Sequence, residues 1–322
     1  MNKNDRIFIA GHNGMVGSAF YRELERQGYN NLVTINRKKL DLKNYKKCQN
    51  FFKKKKLDIV ILAAAVVGGI HANNKQPVKF ILDNLRIQNN IIELSNEYKI
   101  KKLLFVGSSC IYPNTLNRKI KEEDMLSSYL EKTNEPYAVA KISGLKLCES
   151  FNRELNTDFR SVIPCNLYGP NDNYNLSAGH VFAALIKKFY LIKKRKQNTL
   201  ILWGSGKPKR EFMHVDDMAK ASIKILKLSK KKYNQYTEPQ TSHINVGSGN
   251  DITILNLAKK IAKAYQIKKI NIIFDKSKPD GTKRKLMDIY KLKKSTKFKP
   301  TFNIDKGISH TISSFINENE NK

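Results

Sequence analysis

The 322 residues are 40% hydrophobic and 9% aromatic, with apolar runs throughout, which excludes a disordered chain and allows one large α/β domain or two smaller ones. The net charge of +32 raises a nucleic-acid partner, yet the excess is mostly lysine, scattered from "FFKKKK" through "LIKKRK" to "IYKLKKS" without interleaved aromatics; it reads as solvated surface, and no nucleic-acid partner is expected. No apolar run approaches the roughly 18 to 20 residues of a membrane span, and the start lacks the apolar core of a signal peptide, so a cytoplasmic protein with no membrane partner is expected.

The first element in the chain is a strand, "RIFIA" at 6–10, and a helix follows over 15–27. Between them stand Gly11, Gly14 and Gly17. In a strand-to-helix turn the first glycine permits the sharp bend, the second lets backbone approach a pyrophosphate, and the third lets the helix pack close to the strand. The free N–H groups at the helix start would then face the phosphates. The second strand, "LVTIN" at 32–36, ends in Arg37 and Lys38 where a cofactor lacking a 2′-phosphate would call for an acidic side chain. NADPH is therefore the expected cofactor, with Asp41 facing its adenine.

Helices over 43–55, 78–98 and 135–156 alternate with strands at 57–64, 102–107 and 160–166, the rhythm of a Rossmann-type, doubly wound parallel sheet in the α/β class. After "NLYGPNDN" the pattern loosens into a helix at 177–196, a strand at 199–204, a helix at 215–226 capped by Asp216, a strand at 243–249, a helix at 253–265 and a strand at 270–274. The expected division is an NADP-binding domain over 1–170 with returning segments about 211–248, and a smaller substrate-binding α/β domain over about 171–210 and 249–322. Four cysteines, Cys48, Cys110, Cys148 and Cys165, form no C-x-x-C pair, so neither a disulfide nor a metal site is expected.

"EPYAVAKISG" puts Tyr137 and Lys141 on one helix face, four residues apart. A neighbouring ammonium would bring a phenol down from its reference value near 10 toward the working range. Ser108, at the end of the fourth strand, is the candidate second donor to the same substrate oxygen. Cys110 in "GSSCIYP", two residues further along an extended loop, would point its thiol into the same pocket.

The glycine loop, Ser108, Tyr137 and Lys141 resemble the extended short-chain dehydrogenase/reductase family. "LAAAVVGGI", "TNEPYAVAKI", "WGSGKPKREFMHVDDMA" and "SKPDGTKRKLMD" narrow the resemblance to its epimerase/reductases, which convert GDP-4-keto-6-deoxy-D-mannose to GDP-L-fucose with NADPH. It implies inversion at C3 and C5 by Cys110 and His180 acting on opposite faces, then reduction of the C4 ketone with Tyr137 as proton donor and Lys141 holding the nicotinamide ribose. It implies a cofactor site lined also by His12, Asn13, Met15 and Val16 in the loop, by Leu42 and Ala64, by Gly107 and Ser109, by Pro164, Cys165, Asn166 and Leu167, and by His180 itself. It further implies substrate contacts from Lys188, Trp203, Arg210 and Asp280, and a homodimer through the helices at 78–98 and 135–156. Two features depart from the pattern: Asn13 stands where an arginine would assist the 2′-phosphate, and His71 adds a titratable group near the pocket. The alternative is a C4-reductase or epimerase/reductase of another GDP-4-keto sugar, such as a heptose.

Overall fold

Short apolar runs separated by amphipathic segments build a parallel sheet in the computed structural model, which describes residues 1–176, 179–277 and 280–320. In chain order come β1 (Ile7–Ala10), α1 (Met15–Arg26), β2 (Leu32–Val33), α2 (Tyr45–Lys55), β3 (Ile59–Leu62), α3 (Ile70–Lys75), α4 (Pro77–Glu97), β4 (Lys102–Val106), α5 (Glu135–Leu155), β5 (Phe159–Pro164) and β6 (Asn166–Tyr168). Then follow α6 (Val181–Lys194), β7 (Thr199–Trp203), β8 (Lys209–His214), α7 (Val215–Lys227), α8 (Lys230–Asn234), β9 (His243–Val246) and β10 (Asp251–Thr253). The chain continues through α9 (Ile254–Ala264), β11 (Asn271–Asp275), β12 (Arg284–Lys285), α10 (Tyr290–Thr296) and α11 (Ile304–Glu320).

The main sheet runs β2-β1-β3-β4-β5-β9 with every pair parallel. Strands β1, β3 and β5 are buried along their whole length, because helices cover both faces of the sheet. The chain leaves β1 to one side for β2 and returns to its other side for β3, so a crevice opens beyond the carboxyl ends of these strands.

Several boundaries differ from those the sequence predicts. Strand β2 is only two residues long, and the run read as one strand at 160–166 divides at Cys165, whose N–H bonds the Val246 carbonyl at 3.0 Å before β6 turns away to pair with β8. The helix expected from 177 begins at Val181, and residues 177 and 178 lie outside the described set. Helix α7 is capped by His214 and not by Asp216: the His214 ring accepts from the Asp216 N–H at 3.2 Å, while the Asp216 carboxylate pairs with Arg22.

Two apolar clusters hold the chain. The larger joins the main sheet to its helices and takes in Leu292 and Phe298 beside α7; the smaller gathers Tyr168, Phe182, Phe189, Leu257 and Phe315. Tyr168 stacks on Phe182 with ring centroids 4.0 Å apart, and Gly307 of α11 packs so close that a Cβ there would strike the Tyr168 hydroxyl. Helix α11 is further tied to β8 by His214 and His310, whose ring nitrogens are 3.0 Å apart. We propose that the second cluster marks the substrate-binding domain. Met287, Ile289 and Leu292, from the 249–322 block, pack in the first cluster, and we propose that segment 287–298 goes with the cofactor side.

Candidate active site

Gly11 sits at φ +90°, and a Cβ on it would meet the Ala64 backbone N at 2.7 Å; a Cβ on Gly17 would lie 2.1 Å from the Gly11 carbonyl oxygen. Both positions therefore exclude side chains for reasons internal to the fold. Gly14 differs: the nearest atom to a Cβ there is 3.5 Å away, so the space beside it is left for something other than protein. Gly14 also caps α1 without a side-chain bond, which leaves N–H groups of the first turn facing that space. This cradle fits the pyrophosphate of a dinucleotide.

The cradle opens into a cavity of about 500 Å³. Its lining brings together the loop residues Gly11 to Gly17, Arg37, Asp41, Leu42 and Ala64, the β4 end at Gly107, Ser108 and Ser109, Tyr137 and Lys141 of α5, Pro164 to Leu167, and His180. The side chain of Asn13 donates to Asn36 at 2.8 Å, so this position supplies no cation, and Lys38 is not in the lining. The positive charge comes instead from Arg37 and from a residue the sequence did not single out, Lys43, whose ammonium lies 3.8 Å from Asp41 and 3.5 Å from Asp83. Asp83 also lines the cavity; it lies on α4, forty residues along the chain, and only the fold joins it to Lys43. The side chain of His71 lies outside the described residues.

At the reactive end, Ser108 and Tyr137 line the same part of the cavity, so two hydroxyls are offered there. The loop is not extended as expected: residues 109–111 form a 3₁₀ turn, with the Ser108 side chain accepting from the Cys110 N–H at 3.4 Å. That turn takes the Cys110 thiol out of the cavity lining and buries it beside Ser108, Lys141 and Lys285. Burial pushes the thiol above its ordinary value, and Lys285, the Ser108 hydroxyl and Lys141 hold it down.

The expected tuning of Tyr137 by Lys141 is not what this arrangement does. Burial pushes the phenol far above its ordinary value, a Cys110 thiolate would push it the same way, and the Ser108 bond pulls it back. The Lys141 ammonium is 6.0 Å from the Tyr137 ring centroid and donates instead to the Val106 carbonyl at 2.8 Å; burial lowers it to about 8. His180 stands at the start of α6, exposed on the cavity side, with its imidazole lowered by the protein mass around it.

Lys188, Trp203, Arg210 and Asp280 do not line this cavity. Lys188 donates to the Ile201 carbonyl at 2.8 Å with its ammonium 5.7 Å from the Trp203 ring, which is 51% exposed. Arg210 donates to the Thr282 carbonyl at 2.6 Å. Asp280 accepts from the Ser205 N–H at 2.6 Å and its hydroxyl at 2.8 Å, so its first task is to hold the turn at Gly204. Beside Arg210 in the backbone pairing of β12 with β8 stands Lys285, whose charge also acts on Cys110. Sequence reasoning missed it, since one lysine in "GTKRKLMD" carries no mark that separates it from its neighbours.

Residues 7–247 match the NAD dependent epimerase/dehydratase family. The chain is 50% identical over 287 residues to a GDP-L-fucose synthase of Escherichia coli (strain K12), covering 89% of each sequence. It superposes on a GDP-6-OMe-4-keto-L-xylo-heptose reductase from C. jejuni with a TM-score of 0.92, at 32% identity and over 99% of both chains. It superposes also on a gdp-l-fucose synthetase from Naegleria fowleri bound to NADP, with a TM-score of 0.88 and 27% identity, covering 99% of this chain and 96% of that one.

Proposed function

This chain belongs to the NAD dependent epimerase/dehydratase family, and we propose that it acts as an NADPH-dependent epimerase/reductase, inverting C3 and C5 of GDP-4-keto-6-deoxy-D-mannose and then reducing the C4 ketone to give GDP-L-fucose. The observation that carries this reading is the meeting of Ser108, Tyr137 and Lys141 at one end of a dinucleotide cavity that His180 also lines, with Cys110 buried next to Ser108 just outside the lining.

A C4 carbonyl oxygen received between the Ser108 hydroxyl and the Tyr137 phenol is polarised, which acidifies the hydrogens on C3 and C5. Cys110 as thiolate removes such a proton, the electron pair moves into an enolate on that oxygen, and His180 returns a proton to the opposite face of the carbon. The phenol's value, raised by burial, keeps it protonated at neutral pH, so a proton is present there to be given. Tyr137 gives its proton to the C4 oxygen in the reduction step, and Lys141, at about 8, is placed to replace the charge lost there. The nicotinamide cofactor, when bound, supplies the hydride. Arg37, Lys43 and the uncapped first turn of α1 would hold it.

Incubation with GDP-4-keto-6-deoxymannose and NADPH in deuterated solvent tests the assignment. GDP-L-fucose labelled at C3 and C5 is expected, and Cys110→Ala should abolish the labelling while NADPH still binds. A reduced but unepimerised sugar would instead favour the C4-reductase reading. We also propose a cytoplasmic homodimer: Val78 (69% exposed) and Leu82 (39%) on α4 and Val139 (38%) on α5 leave apolar surface where a second copy would pack. A monomer by light scattering at micromolar concentration would overturn that part.

A further inference from the structure

The proposed reaction gives Glu211 of β8 no task. Glu211 of β8 is fully buried, and its carboxylate is spent on backbone: one oxygen accepts from the Gly249 N–H at 2.6 Å and from the Ser248 hydroxyl at 3.5 Å, the other from the Met287 N–H at 2.9 Å. A side chain at Gly247 would stand 2.4 Å from the same carboxylate, so the turn after β9 is shaped around it. Burial pushes the acid up to about 7, and the donating N–H groups offset part of that rise.

The carboxylate thus joins three stretches distant in the chain, and one of them is the end of β12. There the Lys285 backbone pairs with Arg210, and the next residues are gripped from the other side by the loop that follows Cys110: the Ile120 N–H bonds the Leu286 carbonyl at 2.9 Å and the Asp288 N–H bonds the Ile120 carbonyl at 2.7 Å. Lys285 therefore sits in a short strand fixed on one edge by Glu211 and on the other by the loop carrying the thiol. The groups whose charge acts on its ammonium are Cys110 and Glu131, which favour it, and Arg210, which opposes it.

We propose that Glu211 is a positioning residue for the epimerisation half of the reaction, its carboxylate fixing the end of β12 so that the charge of Lys285 continues to act on the Cys110 thiol. The inference rests on the reading of Cys110 as the group that moves a ring proton. The thiolate needs a nearby cation because burial alone works against it, and Lys285 reaches the thiol only if β12 ends where Met287 is held.

Glu211→Gln keeps the shape but places an NH₂ where a carboxylate oxygen now accepts, so either the Gly249 or the Met287 N–H would face a donor. With GDP-4-keto-6-deoxymannose and NADPH, exchange of the C3 and C5 hydrogens should fall about tenfold or more. Alkylation of Cys110 by iodoacetamide, followed by peptide mass, should move about one pH unit higher, and NADPH affinity should stay within about twofold. Lys285→Met should produce the same shift in alkylation, and the double variant should add nothing to either single change.

A folded Glu211→Gln that loses NADPH affinity and exchange together would reject a positioning role. Unchanged exchange and an unchanged alkylation profile in Glu211→Gln would overturn the proposal. If that variant does not fold, an unchanged profile in Lys285→Met overturns it equally, because the link from β12 to the thiol would be missing. A parent protein that never exchanges these hydrogens, yet shows the shift in Glu211→Gln, would sink the epimerase reading and leave the clamp standing.

Discussion

The cofactor cavity and the substrate side are assembled in opposite ways. Most of the cavity comes from short strand-to-loop turns at the carboxyl edge of one parallel sheet, where the strand that ends delivers the residues that bind. Its lining is rich in glycine and small apolar residues, and helix N–H groups do much of the work. The side proposed for the substrate draws Lys188 from α6, Trp203 from β7, Arg210 from β8, Asp280 from a loop and Lys285 from β12. Burial lowers Lys188, Arg210 and Lys285 alike, and Arg210 lowers Lys285 further. A surface made of dipoles can be complete before its ligand arrives. One made of like charges crowded together holds unmatched cation density, the form that suits a diphosphate.

The largest effect expected lies where the two meet. Tyr137→Phe keeps the ring that packs at 6.3 Å against Phe80 but removes the only proton the mechanism gives to the C4 oxygen. NADPH oxidation with substrate should fall about 10²- to 10⁴-fold with cofactor affinity unchanged; turnover near the parent rate would separate Tyr137 from the chemistry. Against β9 of the main sheet, Glu122 is a buried carboxylate that accepts from the Asn245 N–H at 2.9 Å, and burial pushes it from 4.5 up to about 7. The folded protein then holds a proton that the unfolded chain releases, so this group stabilises the fold below about pH 4.5 and the contribution is lost as pH rises to 7. Glu122→Gln should remove that loss: relative to the parent, its unfolding free energy at pH 8 should gain up to about 3 kcal/mol over its value at pH 5. Parallel urea titrations of both proteins at the two pH values would measure it, and equal pH slopes would show that Glu122 is ionised throughout.

The same contrast explains what could be read in advance. Gly11, Gly14 and Gly17 lie within seven residues, and Tyr137 and Lys141 within one helical turn, so local periodicity places them without knowledge of the fold. Lys285 and Glu211 could not be found that way. Strand β12 has two residues and pairs with a partner more than seventy positions earlier, and two residues carry no alternation to detect. Strand β8, with the polar pattern "KREFMH", shows no clear apolar alternation, and its partners β6, β10 and β12 come from distant parts of the chain. The tuning of Tyr137 failed for a different reason. A lysine four residues away promises a lowered phenol, but the ammonium is held by Val106 and burial outweighs it.

Two smaller effects on the cofactor side would show whether its charges are divided as the geometry implies. Arg37 lines the cavity near the end of β2, and its loss should raise the KM for NADPH about 10- to 100-fold, the worth of a charge-assisted phosphate contact, while leaving NADH nearly unchanged. Lys43 is a different kind of cation. Its ammonium is shared between Asp41 at 3.8 Å and Asp83 at 3.5 Å, and through Asp83 it links the loop after β2 to helix α4. A half-solvated bridge of that kind contributes about 0.2 to 1 kcal/mol. Lys43→Met should therefore raise both KM values together, by about fivefold at most, since what it loosens is a wall common to both cofactors. A rise confined to NADPH would mean that the lysine leaves its carboxylates for the 2′-phosphate, and the cavity would then depend on the same kind of unmatched charge as the substrate side.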